Sequence, residues 1–243
     1  MKEERIVLLT GAGGGIGTGI AKRLLEEGYT VALHYRSKKD ALVPLVEQYK
    51  DHAFLFQADF TDAESVRTFG EQVMGVLGRV DILINNAGMP SSGLSWKVSP
   101  EEWETVLFTN LTAPFVLSGT LIPGMRERKW GRILFFSSIV AQEGVAGTSS
   151  YAASKSGLIG LTRSMARELA SKGITVNCIA PGYIDAGMIS VIDEPARVEL
   201  IRQTPAGRLG QASEIAAAVQ YLISEEAAFT TGQVLDVNGG LSM

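Results

Sequence analysis

The sequence predicts a single-domain α/β protein, a Rossmann fold with a doubly wound parallel sheet of about seven strands and helices on both faces. Three observations carry that prediction. Short apolar runs alternate with longer helical patterns along the whole chain, and strands separated by crossovers of that length pair in parallel. A glycine cluster stands between the first strand and the first helix, where such folds turn toward a phosphate. No linker, composition break or internal repeat divides the 243 residues, so one domain over 1–243 is the economical reading.

Taken in order, residues 6–9 read as a buried strand, followed by glycines and a helix over about 17–27. Strands follow at 30–35, 53–57 and 80–84, with helices between them. The second half gives a strand at 132–137, a helix at 151–171, a strand at 174–179, a helix at 213–224 and a strand at 233–237. Thr61-Asp62-Ala63-Glu64 and Ser99-Pro100-Glu101-Glu102 read as capping boxes, the second with proline at its preferred first helical position. Two long irregular stretches, 138–150 and 181–212, follow strands. They fall at the carboxyl edge of the sheet, where parallel folds bind ligands.

Composition narrows the functional classes. Hydrophobic residues at 46% and charged residues at 20% suit a sizeable core. A net charge of −4 lacks the clustered positive field that nucleic acid requires, so no nucleic-acid partner is expected. The single cysteine, Cys178, and two histidines, His34 and His52, leave no disulfide and no multi-ligand metal site. The apolar run after Arg5 is too short for a signal peptide, and no segment approaches a membrane span of roughly 20 residues. A cytoplasmic protein without a membrane partner is expected.

Gly11, Gly13, Gly14, Gly15, Ile16 and Gly17 form the turn into the first helix. Glycine lets backbone approach a ligand, and a helix start presents free amides and a positive dipole end to a pyrophosphate. The strict G-x-G-x-x-G spacing is absent, as is the Walker ending in Gly-Lys-Ser/Thr. Residues 29–39 contain no Asp or Glu that would hold the ribose hydroxyl of NAD. Arg36 and Ser37 stand there instead, a cation and a hydroxyl suited to a 2′-phosphate, which points to NADP(H) over NAD(H). Lys38 and Lys39, taken alone, read as a solvated basic helix start, so Arg36 is the residue singled out.

Tyr151 and Lys155 are four apart at a helix start and share one face. An ammonium beside a phenol of pKa near 10 favours the phenolate, although this spacing occurs on many ordinary helices. The surrounding set gives it weight. Thr10-Gly11-x-x-x-Gly15-x-Gly17, Asn85-Asn86-Ala87-Gly88, Asn110, Ser138, Tyr151-x-x-x-Lys155 and Pro181-Gly182 follow in one order. Together they resemble the short-chain dehydrogenase/reductase family over essentially the whole chain. Leu158-Ile159-Gly160, the run 173–177, the run 205–210 and Val237-Asn238-Gly239-Gly240 are further similar to bacterial 3-oxoacyl-[acyl-carrier-protein] reductases. Neighbouring subfamilies share those phrases.

The resemblance implies a catalytic set of Asn110, Ser138, Tyr151 and Lys155. Tyr151 would protonate the substrate oxygen, Lys155 would hold the nicotinamide ribose and lower the phenol pKa, and Ser138 would hydrogen-bond the carbonyl. Asn110 would open its helix and hold a water in a proton relay. Asp59 and Phe60 would lie at the adenine, Asn86, Ala87 and Gly88 along the adenosine side, and Pro181, Gly182 and Ile184 at the nicotinamide. Gly14 replaces the Arg or Lys that many relatives place before the second motif glycine, and Ala186 replaces a usual threonine. A substrate lid is expected over about 186–210, within it a helical pattern from Met188 to Gln203. Lys129 and Lys172 match basic positions that would meet an acyl carrier protein, and the family implies a homotetramer. The leading expectation is NADPH-dependent reduction of a 3-oxoacyl thioester in fatty acid biosynthesis. The alternatives are another carbonyl or alcohol (acetoacetyl-CoA, a sugar, a polyol or a cyclic ketone) and a non-catalytic nucleotide-binding regulator, which the intact catalytic set disfavours.

Overall fold

The computed structural model describes residues 4–91, 93–187, 189 and 192–243. The first half runs β1 (Ile6–Leu9), α1 (Gly15–Glu26), β2 (Thr30–Tyr35), α2 (Val43–Gln48), β3 (Ala53–Gln57), α3 (Ala63–Leu77) and β4 (Ile82–Asn85). Then come α4 (Pro100–Leu107), one π-helical turn (Phe108–Thr112), α5 (Ala113–Arg128), β5 (Gly131–Phe136), α6 (Val140–Glu143) and α7 (Ser149–Leu169). A short 3₁₀ turn (Ala170–Lys172) leads to β6 (Ile174–Pro181), α8 (Glu194–Gln203), α9 (Ala212–Ile223) and β7 (Val234–Val237).

All seven strands form one parallel sheet in the order β3-β2-β1-β4-β5-β6-β7. Strand alternation divides the core into two layers. Val7, Leu9, Ile82 and Ile84 face Ile20 and Leu24 of α1 and Ile215 and Val219 of α9. Leu8, Leu83, Ile133 and Phe135 face Val66 and Phe69 of α3, Leu117 and Leu121 of α5, and Leu158 of α7. Side chains buried to this degree contribute roughly 1.5–3 kcal/mol each. The order reverses between β1 and β4, so the loops leaving their carboxyl ends part in opposite directions and open a crevice.

Several local expectations shift. Helix α1 starts at Gly15, two residues early, with Gly14 in extended backbone at its N-cap and no side-chain cap. The predicted Thr61–Glu64 box is displaced by one. Asp62 caps α3 by accepting from Ser65 N at 2.8 Å, and the stronger carboxylate acceptor at the positive helix end explains the choice. Ser99 caps α4 as expected, accepting from Glu102 N at 3.1 Å. The stretch 138–150 holds α6, and 181–212 holds α8. One local expectation shifts further: the helical run Pro100–Arg128 has 29 residues, and an 18-residue window within it has mean hydropathy 1.5, long and apolar enough to cross a membrane by length and composition alone, where no such segment was expected. Pro114 and Pro123 do not end it, which hid its length. Its apolarity has a local explanation, since Leu117, Leu121 and Met125 are buried against the sheet.

Candidate active site

The crevice at the switch point is a cavity of about 640 Å³, within the range usual for small-molecule sites. Its floor is the glycine turn. Gly11 has φ +67°, a conformation that favours glycine. A Cβ on Gly15 would meet Ala186 Cβ at 2.8 Å and the Gly187 amide closer still. The turn is therefore covered by the chain that leaves β6. Helix α1 has no side-chain cap, so its first amides face the cavity. Asn86 fixes the turn, its Nδ2 donating to Thr10 O at 3.0 Å and Gly11 O at 3.1 Å. Ala87 N donates to Thr10 Oγ1 at 3.0 Å. A dinucleotide fits these features, with a glycine cradle and free amides where its pyrophosphate would lie.

Arg36, Ser37 and Lys38 line the cavity at the end of β2, and all three are exposed. Asp59 and Phe60 line it beyond β3. Asp59 is exposed; the Phe60 ring is buried and stacked on His34 with centroids 4.5 Å apart, so it supports the wall as well as lining it. His34 was weighed in the sequence only as a possible metal ligand. Its ring lies 3% exposed beneath the glycine turn, and a lone polar residue in an otherwise apolar strand was the available signal.

The opposite end of the cavity is lined by Ser138, Tyr151 and Lys155, with Gly88 nearby. Ser138 follows β5, and its Oγ accepts from Val140 N at 3.2 Å. Ser137 Oγ donates to Lys155 O at 2.9 Å, tying α7 to the end of β5. Lys155 is 4% exposed and its Nζ donates to Phe136 O at 2.7 Å. Burial pushes its ammonium down to about 8, with the neighbouring Cys178 thiol opposing. Burial also pushes the Tyr151 phenol up, and a hydrogen bond from Ser138 pulls the other way. Lys155 Nζ lies 5.5 Å from the Tyr151 ring centroid and is held by Phe136 O, and in this structure the hydrogen bond that pulls the phenol down comes from Ser138.

Asn110 sits in the π-helical turn and is fully buried, so it does not face solvent. Its Oδ1 accepts from Met89 N at 2.8 Å, while its Nδ2 donates to Met89 O at 3.0 Å and Ser154 Oγ at 3.1 Å. Ser154 Oγ in turn donates to Tyr151 O at 2.7 Å. A Cβ on Gly88 would meet Asn110 Oδ1 at 3.2 Å and Lys155 Nζ at 3.4 Å, so these three residues enclose one small space. Met89 and Ser154 were not singled out in the sequence, because their contacts depend on how the π turn faces the loop after β4.

Beyond β6, Gly182 N donates to Val237 O at 3.0 Å, and a Cβ on Gly182 would meet Asn238 Cα at 2.7 Å. Pro181 O accepts from Ile139 N at 3.0 Å. Ile184 is buried, with its carbonyl accepting from Ala186 N at 2.7 Å. Asp185 forms a two-pronged ion pair with Arg197 of α8 at 2.8 and 2.6 Å, which holds its carboxyl below the usual range. In the expected lid, α8 covers Glu194–Gln203, while Met188, Ser190 and Val191 lie outside the described residues. Lys129 and Lys172 are exposed and line one surface groove with Arg126, away from the crevice.

A dinucleotide crevice ending on a phenol, a buried lysine and a hydroxyl defines a class of NAD(P)-dependent oxidoreductases. The chain belongs to the short-chain dehydrogenase/reductase family. The family profile described as "Enoyl-(Acyl carrier protein) reductase" matches residues 11–242. The chain is 42% identical over 241 residues to the 3-oxoacyl-[acyl-carrier-protein] reductase FabG of Vibrio cholerae, covering 99% of this chain and 98% of that one. It is 40% identical over 246 residues to the FabG of Staphylococcus aureus, covering 100% of both. To Nodulation protein G of Rhizobium sp. (strain N33) it is 41% identical over 239 residues, covering 98% of this chain and 97% of that one.

Proposed function

We propose that this protein reduces the 3-oxoacyl thioester of acyl carrier protein to the 3-hydroxyacyl product, a step of fatty acid biosynthesis, with NADPH as the preferred cofactor. The observation that carries this reading is the convergence of Ser138, Tyr151 and Lys155 on the crevice that also holds the glycine turn. The full-length likeness to the two reductases supports the substrate.

Gly11 to Gly17, Asn86, Ala87, Gly88, Asp59 and Phe60 would hold the adenosine and pyrophosphate. Pro181, Gly182, Ile184 and Lys155 would hold the nicotinamide end, which supplies a hydride when bound. Arg36 and Ser37, with no acidic neighbour before Asp59 along the cavity wall, support the 2′-phosphate and hence NADPH. Tyr151 Oη donates its proton to the substrate oxygen. Ser138 Oγ donates a hydrogen bond to the same oxygen as negative charge develops there. A buried cation at Lys155 steadies that end of the site, and Asn110 holds the loop after β4 against α7, leaving the space beside Gly88 for a water that re-protonates Tyr151.

Residues 186–210 act as the substrate lid, with α8 as its rigid part. Lys129 and Lys172 meet the acidic carrier protein; their shared groove with Arg126 supports this. Exposed Trp103 on α4 and Phe115 on α5 support a homotetramer formed through α4, α5 and α7, working in the cytoplasm.

The test is a matched NADPH and NADH assay over a carbonyl panel. NADPH consumption with a 3-oxoacyl thioester is expected, and activity confined to NADH with a sugar overturns the reading. Tyr151→Phe should lower turnover by at least about 10²-fold while cofactor affinity stays within twofold. A variant with full rate refutes Tyr151 as the acid.

A further inference from the structure

We propose that His34 is a positioning residue of the dinucleotide site, whose ring, fixed as the Nε2–H tautomer, ties the glycine turn to the end of β3. This rests on the reading that the crevice holds a dinucleotide. The ring accepts Gly11 N–H on Nδ1 at 3.2 Å, and its Nε2 lies 3.1 Å from Ala58 O. An amide can only donate and a carbonyl can only accept, so a single neutral tautomer satisfies both contacts. The imidazolium form would turn a second N–H against the Gly11 amide. Burial keeps the ring neutral by pushing its pKa down to about 4, against the opposing effects of the Ala58 O hydrogen bond and then of Asp59, and Phe60 and Phe69 supply its apolar walls.

The same residue also holds the next amide, since Ala12 N donates to His34 O at 2.8 Å. Two consecutive amides of the turn are therefore fixed by one residue, at the point where Gly11 adopts φ +67°. Asn86 holds this turn from the β4 side through Thr10 O and Gly11 O; His34 holds it from the β2 side. Through Ala58 O it also sets the start of the loop that carries Asp59. A core histidine placed only for packing would not need both ring nitrogens matched to two cavity-lining loops.

The test compares wild type, His34→Leu and His34→Asn. An asparagine Oδ1 stands near the place of Nδ1 and can accept the Gly11 amide; leucine cannot. Dissociation constants for NADPH and for NADH are read by tryptophan fluorescence titration, with kcat at saturating cofactor alongside. His34→Leu is expected to weaken both nucleotides at least tenfold with kcat within twofold, and His34→Asn to recover most of that loss. Equal affinity of His34→Leu and wild type overturns the proposal, as does an asparagine variant no better than leucine. Should His34→Leu fail to fold, ring nitrogen shifts of wild type by NMR decide: protonated Nε2 with bare Nδ1 supports the assignment, and the other tautomer overturns it. Wild type that binds neither nucleotide overturns the functional reading beneath it.

Discussion

Gly14 is the residue at which cofactor choice is most open to change. Its backbone is extended, φ −79° and ψ 161°, so any L-residue can stand there. A Cβ would find Gly11 O at 3.4 Å as its nearest neighbour. Gly14→Arg should therefore fold normally and lower the NADPH KM by about tenfold, the effect of one charge-assisted contact of about 1.4 kcal/mol. Arg36→Ala should raise the NADPH KM similarly and leave the NADH KM unchanged. Equal shifts for both cofactors in steady-state assays would reject the 2′-phosphate assignment. At this scale the pair Tyr151 and Lys155 was readable from spacing and order. The state of the phenol was not, because it depends on burial and on the hydrogen bond with Ser138.

Among elements, the coupling of α8 to the chain leaving β6 has the clearest functional reach. Asp185 and Arg197 join the two, while Asp193 caps α8 by accepting from Ala196 N at 3.0 Å. Arg197→Ala frees the helix from the segment lying over Gly15. The substrate KM should rise severalfold with little change in Tm, and the wild-type advantage should shrink in high salt, since the pair is partly exposed. Steady-state kinetics at two ionic strengths measure both effects. The sequence pattern placed a helix in this stretch but could not find its anchor, the Asp185–Arg197 pair, which joins residues twelve apart. The starts of α1, α7 and α9 were legible to within two residues, whereas α8 begins at Glu194, six residues after the expected Met188. The choice of Asp62 over Thr61 was lost because both are good capping residues and only the packed chain selects one.

For the molecule as a whole, two buried groups give stability an uncommon pH profile. His34 titrates at about 4 in the fold against 6.5 unfolded, and Lys155 at about 8 against 10.5. Both folded values lie below the unfolded ones, so within each window the unfolded chain binds a proton that the native chain does not. Stability therefore rises with pH between 4 and 6.5 by on the order of 3 kcal/mol at most; Lys155 starts a second rise at about 8, which the Cys178 thiol, pushed by burial from 9.0 up to about 11, opposes from about 9 upward. Thermal melts across pH should show the first rise, which His34→Asn should flatten, and Lys155→Met should remove the rise that begins near pH 8. Steps that survive those variants would assign them to other groups. The seven strands and one domain were legible because each strand is a short apolar run. The sheet order was foreseeable only as a class, since neighbours are chosen by crossovers. The long apolar run around Pro114 was missed because proline reads as a break wherever the surrounding turn can absorb it.

That turn has a consequence for how the chain is counted. A π turn closes its hydrogen bonds from i to i+5, one residue further than the α-helix on either side of it. The π turn at Phe108–Thr112 is in effect one inserted residue, retained inside the helix instead of being expelled as a loop. Every position after it is rotated by about 100° relative to an uninterrupted helix. Leu117 and Leu121 face the sheet only in this shifted phase. Deleting one residue there would not simply remove Asn110's setting; it would turn the inward face of α5 toward solvent. Asn110 and the hydrophobic phase of the following helix are thus a single unit, and neither can be edited without the other.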